Sequence, residues 1–158
     1  MELKWVDEIP GVVVSKCINH VDDRGVLCEI LTNEDSFFTN FGQVYMVTNH
    51  NQYTVRGFHK HNRLTDWFFI AKGTAQFVLV DDRRGEEENI YRAKEIVIGE
   101  KNPSVITVPP GVFHGWRNLV QDTILVSTAS ERYNKNLPDE ERVEWNYFGS
   151  DIWITKWK

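Results

Sequence analysis

The sequence predicts an all-β protein, a sandwich or jelly-roll barrel, from three observations. Short β-branched and aromatic runs recur at intervals of about 8–12 residues. Each run is bounded by Gly, Asn, Asp or Pro, and helical periodicity is weak along the whole chain. In order, the predicted strands are "GVLCEIL" (25–31), "QVYMVTNH" (43–50), "DWFFIA" (66–71), "AQFVLVDD" (75–82), "EIVIG" (95–99), "SVITVP" (104–109) and "TILVSTA" (123–129). "AKGTA" (71–75) is a tight turn between two of them, with Gly73 supplying the positive φ. "DDRRGEEEN" (81–89) mixes charge signs around a glycine and is expected to be a solvated hairpin loop. "NEDSFFTNFG" (33–42) is the best helical candidate, with Asn33 or Asp35 as cap and Gly42 as stop, and "NKNLPDEERV" (134–143) is expected to add a short helical turn. "DIWITKW" (151–157) alternates in the manner of an edge strand or subunit contact.

Bulk properties narrow the class. A length of 158 residues with no linker or repeat predicts one domain over 1–158, and 41% hydrophobic with 26% charged residues is a globular composition. No apolar stretch approaches the roughly 20 residues that span a bilayer. "MELKWVDEIPG" lacks the basic flank and apolar block of a signal peptide, so a cytoplasmic setting is expected. Cys17 and Cys28 have no metal-ligand spacing and are expected to pack as small apolar residues. A net charge of −5 without a basic stripe argues against nucleic acid as a partner.

The chemistry concentrates in two segments. In "VRGFHKHNRLTDWFFIAKG" (55–73), His59 and His61 lie two apart, so in a strand they face the same side. Asp66 follows, then "WFFIAK", then Gly73. In "VPPGVFHGWRN" (108–118), a Pro-Pro-Gly turn leads to His114, with Asn118 beyond. Together these segments resemble the two signature motifs of the cupin superfamily, with Asp66 where Glu is usual. The resemblance implies a double-stranded β-helix whose open mouth binds ligands. It also implies alternative uses of the histidines. His59, His61, Asp66 and His114 correspond to the ligands of a divalent ion such as Zn, Fe, Mn or Ni, which imidazole and carboxylate donors suit. Paired histidines serve cofactor-free acid–base chemistry equally well. Structural uses compete with both: Asp66 bonded to Arg63 or a backbone amide, and His114 as a hydrogen-bonding pivot after its turn.

A narrower resemblance covers residues 22 to about 130. "DDRGVLCEI" (22–30), "FGQVYMV" with "TVRGFH" (41–59), and "VPPGVFHGWRNL" (108–119) are similar in order and spacing to segments of the dTDP-4-dehydrorhamnose 3,5-epimerase family. "RGFHKH" also resembles a segment of the dTDP-sugar 3,4-ketoisomerases. Both resemblances imply action on a nucleotide-linked 4-keto sugar by proton abstraction next to the ketone, in a homodimer. They place His59 as general base with His61 assisting. Arg24, Glu29, Gln43 and Arg56 fall where the family contacts the diphosphate, the base or the partner subunit. The second motif adds His114, Trp116 and Asn118 to the expected substrate-binding set.

Three positions depart from the epimerase pattern. The family's lysine falls near Asp66 or Trp67, its catalytic tyrosine falls at Ser127 or Thr128, and its tail aspartate has no counterpart in "DIWITKWK". Tyr45, Tyr133 and Tyr53 are the candidate replacements for the acid, with Asp66 the candidate for the group that orients the histidine. His20 and His50 match no motif and are expected at the surface. Arg24 has the competing use of holding a turn beside Asp22 or Asp23, a weak exposed pair. Trp116, Trp145, Trp153 and Trp157 are expected in core or dimer packing, with stacking on a nucleotide base or capping of the pocket mouth as the alternative for one of them.

Overall fold

The computed structural model describes residues 2–83 and 90–155, and among them strands dominate. They are β1 (Glu2–Trp5), β2 (Val13–Lys16), β3 (Ile18–Asp22), β4 (Gly25–Glu29), β5 (Gln43–Thr48), β6 (Val55–Lys60) and β7 (Asp66–Lys72). There follow β8 (Thr74–Asp81), β9 (Ile90–Gly99), β10 (Ser104–Val108), β11 (Val112–Asn118), β12 (Ile124–Ala129) and β13 (Glu141–Arg142). One sheet runs β1-β9-β8-β11-β6-β13 and the other β2-β10-β7-β12-β5, with β3–β4 a separate hairpin. The two large sheets pack face to face as the predicted jelly-roll barrel. All seven predicted strands form, and the 71–75 turn joins β7 to β8. The 84–89 stretch of the predicted hairpin loop, and Trp157, lie outside the described residues.

Strict alternation fills the space between the sheets. Phe68 and Ile70 of β7, Phe77 and Leu79 of β8, Ile106 and Val108 of β10, and Leu125 of β12 form the inner core. Each such side chain contributes roughly 1.5–3 kcal/mol when fully buried. The intervening residues are buried too, on the outer faces. Val78 and Val80 lie beneath Phe148, Ile152 and Trp153 of the C-terminal segment. Trp67 and Phe69 lie beneath Cys17, Cys28, Leu31, Phe37 and Phe38. Burial on both faces explains why "DWFFIA" and "FVLV" read as unbroken apolar runs.

Three local expectations are corrected. Residues 33–42 form consecutive turns rather than a helix: Asp35 N–H donates to the Thr32 carbonyl, and the Asp35 carboxylate accepts the Thr32 N–H at 2.7 Å. Phe37 and Phe38 both cover one sheet face, which irregular turns permit more readily than one or two regular helical turns. Residues 134–143 form no helix either; a turn around 135–136 leads to β13, which pairs with β6. The C-terminal "DIW" lies in a short 3-10 helix (Ser150–Trp153) instead of a strand, so that adjacent Ile152 and Trp153 both reach the same outer cluster.

One irregularity positions the site. In the β6–β11 ladder His59 pairs with His114 but Arg56 pairs with Trp116, so β6 carries one extra residue. This bulge interrupts the alternation and puts Arg56 and His59, three apart, on the same inner side, while Phe58 packs outward. Gly57 sits in the bulge at φ 141°, where an added Cβ would meet Gly115 Cα at 2.5 Å.

Gly42 is required for a different reason than helix termination. A Cβ there would lie 2.3 Å from the Glu131 carbonyl carbon, because the chain entering β5 runs against the segment leaving β12. We expect Gly42→Ala to cost about 1–3 kcal/mol through overpacking. The measurement is the urea midpoint, and an unchanged midpoint would show that the two segments are not in register as described.

Candidate active site

A cavity of about 540 Å³ opens at one end of the barrel, between the two sheets. Its inner wall continues the core register: Asp66 stands in line with Phe68 and Ile70, and His114 stands in line with Val112 and Trp116. Val47 and Leu125 complete an apolar lining, and His59, His61, Tyr45, Gln43 and Arg56 face the same space. The sequence thus brings eight of its predicted site residues to one cavity: Gln43, Tyr45, Arg56, His59, His61, Asp66, His114 and Trp116.

The other two predicted substrate contacts beyond this wall lie elsewhere, as does Asn118. Arg24 is fully exposed and its guanidinium pairs with Asp22, the turn-holding use. Glu29 accepts from His20 Nε2 at 2.8 Å on the exposed β3–β4 hairpin. Asn118 is completely buried away from the cavity; it donates to the Asn51 and Val120 carbonyls and accepts from Asn49 Nδ2 at 3.1 Å. Those bonds saturate its amide, so in this chain it is a structural tie. Asp66 does not bond Arg63, which pairs with Glu131 at 3.3 Å.

The polar centre is built around Asp66, only 2% exposed. Its Oδ2 lies 3.3 Å from His61 Nε2 and 3.7 Å from His114 Nε2. Ser127 Oγ lies 3.5 Å from its Oδ1. Burial works against charge on His61, yet the Asp66 carboxylate, with the Asp139 carbonyl and Glu140, outweighs it and holds the ring above its ordinary value. His114 behaves oppositely. Burial, only partly offset by Asp66, and repulsion from His61 and His59 push it down to about 4, so it is neutral at physiological pH.

Tyr45 reaches this centre from β5, where it pairs directly with Ser127 of β12. The position of the family's missing tyrosine is therefore next door to a phenol on the neighbouring strand. Burial and the charge of Asp66 raise the Tyr45 hydroxyl above its usual value, against a hydrogen bond with Ser127. It stays protonated at neutral pH. Tyr133 also lines the cavity, whereas Tyr53 packs its ring against Arg117 instead.

Two residues escaped sequence reasoning. Glu140 Oε1 accepts from His59 Nδ1, and the Asp139 carbonyl accepts from His61 Nδ1. Burial alone would raise Glu140, but Arg142 and His59 hold it below the usual carboxylate range. Asp66 therefore orients His61, while Glu140 orients His59. The signal available in sequence was the acid pair of "NLPDEERV", which lies about eighty residues from the rings and was taken for a helical turn.

Three of the four predicted metal ligands converge. The donor atoms of His61, Asp66 and His114 all lie within 4.8 Å of one another, while His59 turns its Nδ1 to Glu140.

Comparison with known proteins agrees with this architecture. The spore coat polysaccharide biosynthesis protein SpsL of Bacillus subtilis (strain 168) is 33% identical over 144 residues, covering 87% of this chain and 91% of SpsL. The 3'-monoepimerase ChmJ from Streptomyces bikiniensis, solved with dTDP, superimposes with a TM-score of 0.79 at 20% identity, covering 98% of this chain and 78% of that one. The sugar 3,4-ketoisomerase QdtA from Thermoanaerobacterium thermosaccharolyticum, solved with TDP, gives 0.70 at 21% identity over 93% of this chain and 94% of that one. Likeness at such identities is likeness of fold. The family described as dTDP-4-dehydrorhamnose 3,5-epimerase matches residues 7–155, nearly the whole chain. With that match and a third of its residues shared with SpsL, the chain belongs to the dTDP-4-dehydrorhamnose 3,5-epimerase family.

Proposed function

We propose that this protein is a nucleotide-sugar epimerase or ketoisomerase. Its substrate is a dTDP-4-keto-6-deoxy sugar or a related nucleoside-diphosphate keto-sugar, used in polysaccharide assembly in the cytoplasm. The observation that carries this is the oriented imidazole of His59: Nδ1 donates to Glu140, so in the neutral ring it is Nε2 that offers the lone pair a base needs. His59 Nε2 takes a proton from the carbon beside the ketone. The C–H electrons become a C=C bond and the carbonyl electrons move to oxygen, forming an enolate. His61, whose protonated form Asp66 favours, supplies the donor that steadies that oxygen. Tyr45 then returns a proton to carbon. Delivery to the opposite face of the same carbon inverts it; reprotonation at the former carbonyl carbon, with the neighbouring hydroxyl proton passing to the enolate oxygen, moves the ketone. Arg56, held by Asn49 at 2.6 Å and by the Thr48 carbonyl, is placed for planar contact with the diphosphate. Gln43, Trp116 and His114 complete the substrate wall.

The test is exchange in heavy water with a dTDP-4-keto-6-deoxy sugar. Wild type should place deuterium at a carbon next to the ketone, and His59→Ala should slow this by about 10²–10⁴-fold. Binding without any exchange would leave a sugar-binding protein with no catalysis, and would overturn the proposal.

A divalent metal centre is the alternative use of the same residues, favoured by the convergence of His61, Asp66 and His114. Two imidazoles and a carboxylate fit Zn, Fe, Mn or Ni with open positions remaining. Such an ion would act as a Lewis acid on the ketone. Metal analysis of protein purified without chelator separates the two uses. A stoichiometric ion that disappears in His114→Ala supports the metal; activity that survives chelation with no ion retained supports the proton chemistry.

The homodimer is part of the same proposal. Val21, Val26 and Leu27 of the β3–β4 hairpin are 61–73% exposed, and Met46 on edge strand β5 is 65% exposed. Apolar side chains grouped in this way on a soluble domain mark a protein contact. Arg24 and Glu29 share that hairpin, which fits the partner-subunit use of these positions. Sedimentation should give twice the chain mass, reduced to one chain in Leu27→Asp; a wild-type monomer would refute the dimer.

A further inference from the structure

We infer that Asp139 is a positioning residue that fixes the orientation and the Nδ1 hydrogen of both His59 and His61. This rests on the proposed roles of those two rings and adds a residue to which no motif points. Asp139 is bound at both of its acceptor groups. Its carboxylate accepts the backbone N–H groups of Asn62 (3.2 Å), Arg63 (2.9 Å) and Leu64 (3.1 Å), the turn that immediately follows His61. Its carbonyl accepts from Nδ1 of His61 itself.

A carbonyl oxygen only accepts, so Nδ1 of His61 must carry a hydrogen. Its Nε2 then faces the Asp66 carboxylate at 3.3 Å. The next residue in the chain, Glu140, is thereby delivered to Nδ1 of His59. A carboxylate also only accepts, so Nδ1 of His59 carries a hydrogen too. One dipeptide thus fixes the Nδ1 side of two histidines that lie two residues apart. The triple N–H contact is what makes the dipeptide a fixed reference. Three donors to one carboxylate form the charge-assisted class of bond, roughly twice the strength of neutral ones. The same segment lines the cavity through Tyr133, Asn134 and Leu137, so mouth and rings are held as one body.

The test compares Asp139→Ala and Asp139→Asn with Thr123→Ala, a control at the far end of the barrel whose hydroxyl bonds the Val120 carbonyl at 2.8 Å. The first readout is nitrogen and proton NMR of the imidazoles, which requires no substrate. Wild type should show protected Nδ1–H signals for His59 and His61. Asp139→Ala should lose both to solvent exchange, and Thr123→Ala should keep both. Asn can retain two of the three N–H contacts by presenting its oxygen to Arg63 and Leu64, so it should be intermediate; it also serves if the alanine variant does not fold. The second readout is kinetic: kcat should fall by up to about 10²-fold, as expected for displaced catalytic groups, with a smaller change in KM. Nδ1–H signals that persist in both Asp139 variants would overturn the inference. If wild type shows no exchange chemistry on any keto-sugar, the proposed function fails, while the NMR result still decides the role of Asp139.

Discussion

A carboxylate at 2% exposure, with no lysine or arginine beside it, is the feature on which the whole site depends. Moving an ionised carboxylate out of water costs several kcal/mol unless opposite charge and hydrogen bonds compensate. Around Asp66 the compensating groups are imidazoles and one serine hydroxyl. Imidazole carries positive charge only when it holds an extra proton, and Asp66 shifts His61 toward that form. His114 is shifted the other way, because complete burial and two neighbouring rings favour its neutral form. The two rings beside Asp66 are therefore biased in opposite directions before any ligand arrives.

This arrangement exists because of register. Asp66 pairs with Val108 on one side and Ala129 on the other, in the middle of a five-stranded sheet, and so has no route to solvent along its own strand. His114 sits in the facing sheet, and the β6 bulge brings His59 opposite it. In a regular strand two residues three apart, as Arg56 and His59 are, would point to opposite faces. The bulge therefore lets one short strand bring both a guanidinium and an imidazole to the cavity.

Much of this could be read from the sequence, and the limits have physical causes. The seven strands were legible because double-sided burial concentrates β-branched and aromatic residues in runs. The cavity wall was legible because His59, His61, Asp66 and His114 fall at spacings that strand, turn and return strand fix locally. What could not be read were contacts without a local period. "GVLCEIL" forms a strand, but Val26 and Leu27 remain exposed, so apolar alternation there did not mean core. Asn118 fits a motif yet is consumed by Asn49 and two carbonyls, a fact of tertiary packing. Asp139 and Glu140 lie 78 and 81 residues from the rings they bond, in a segment whose Pro and acids suggested a turn of helix.

The departures from the epimerase pattern are coupled rather than independent losses. Asp66 stands where the resemblance implies a lysine, and its carboxylate favours a conditional cation in its place, the protonated form of His61. Ser127 stands where a tyrosine is implied, and Tyr45 reaches it from the adjacent strand. Glu140, from the loop before β13, bonds the histidine that the resemblance pairs with a tail aspartate. These residues touch one another in sequence: Tyr45 through Ser127 to Asp66, Asp66 to His61, His61 to Asp139, and the adjoining Glu140 to His59. In such a linked set, restoring the family's residue at one position alone would not restore the family's site. A lysine at 66 would face a ring already held by Asp139.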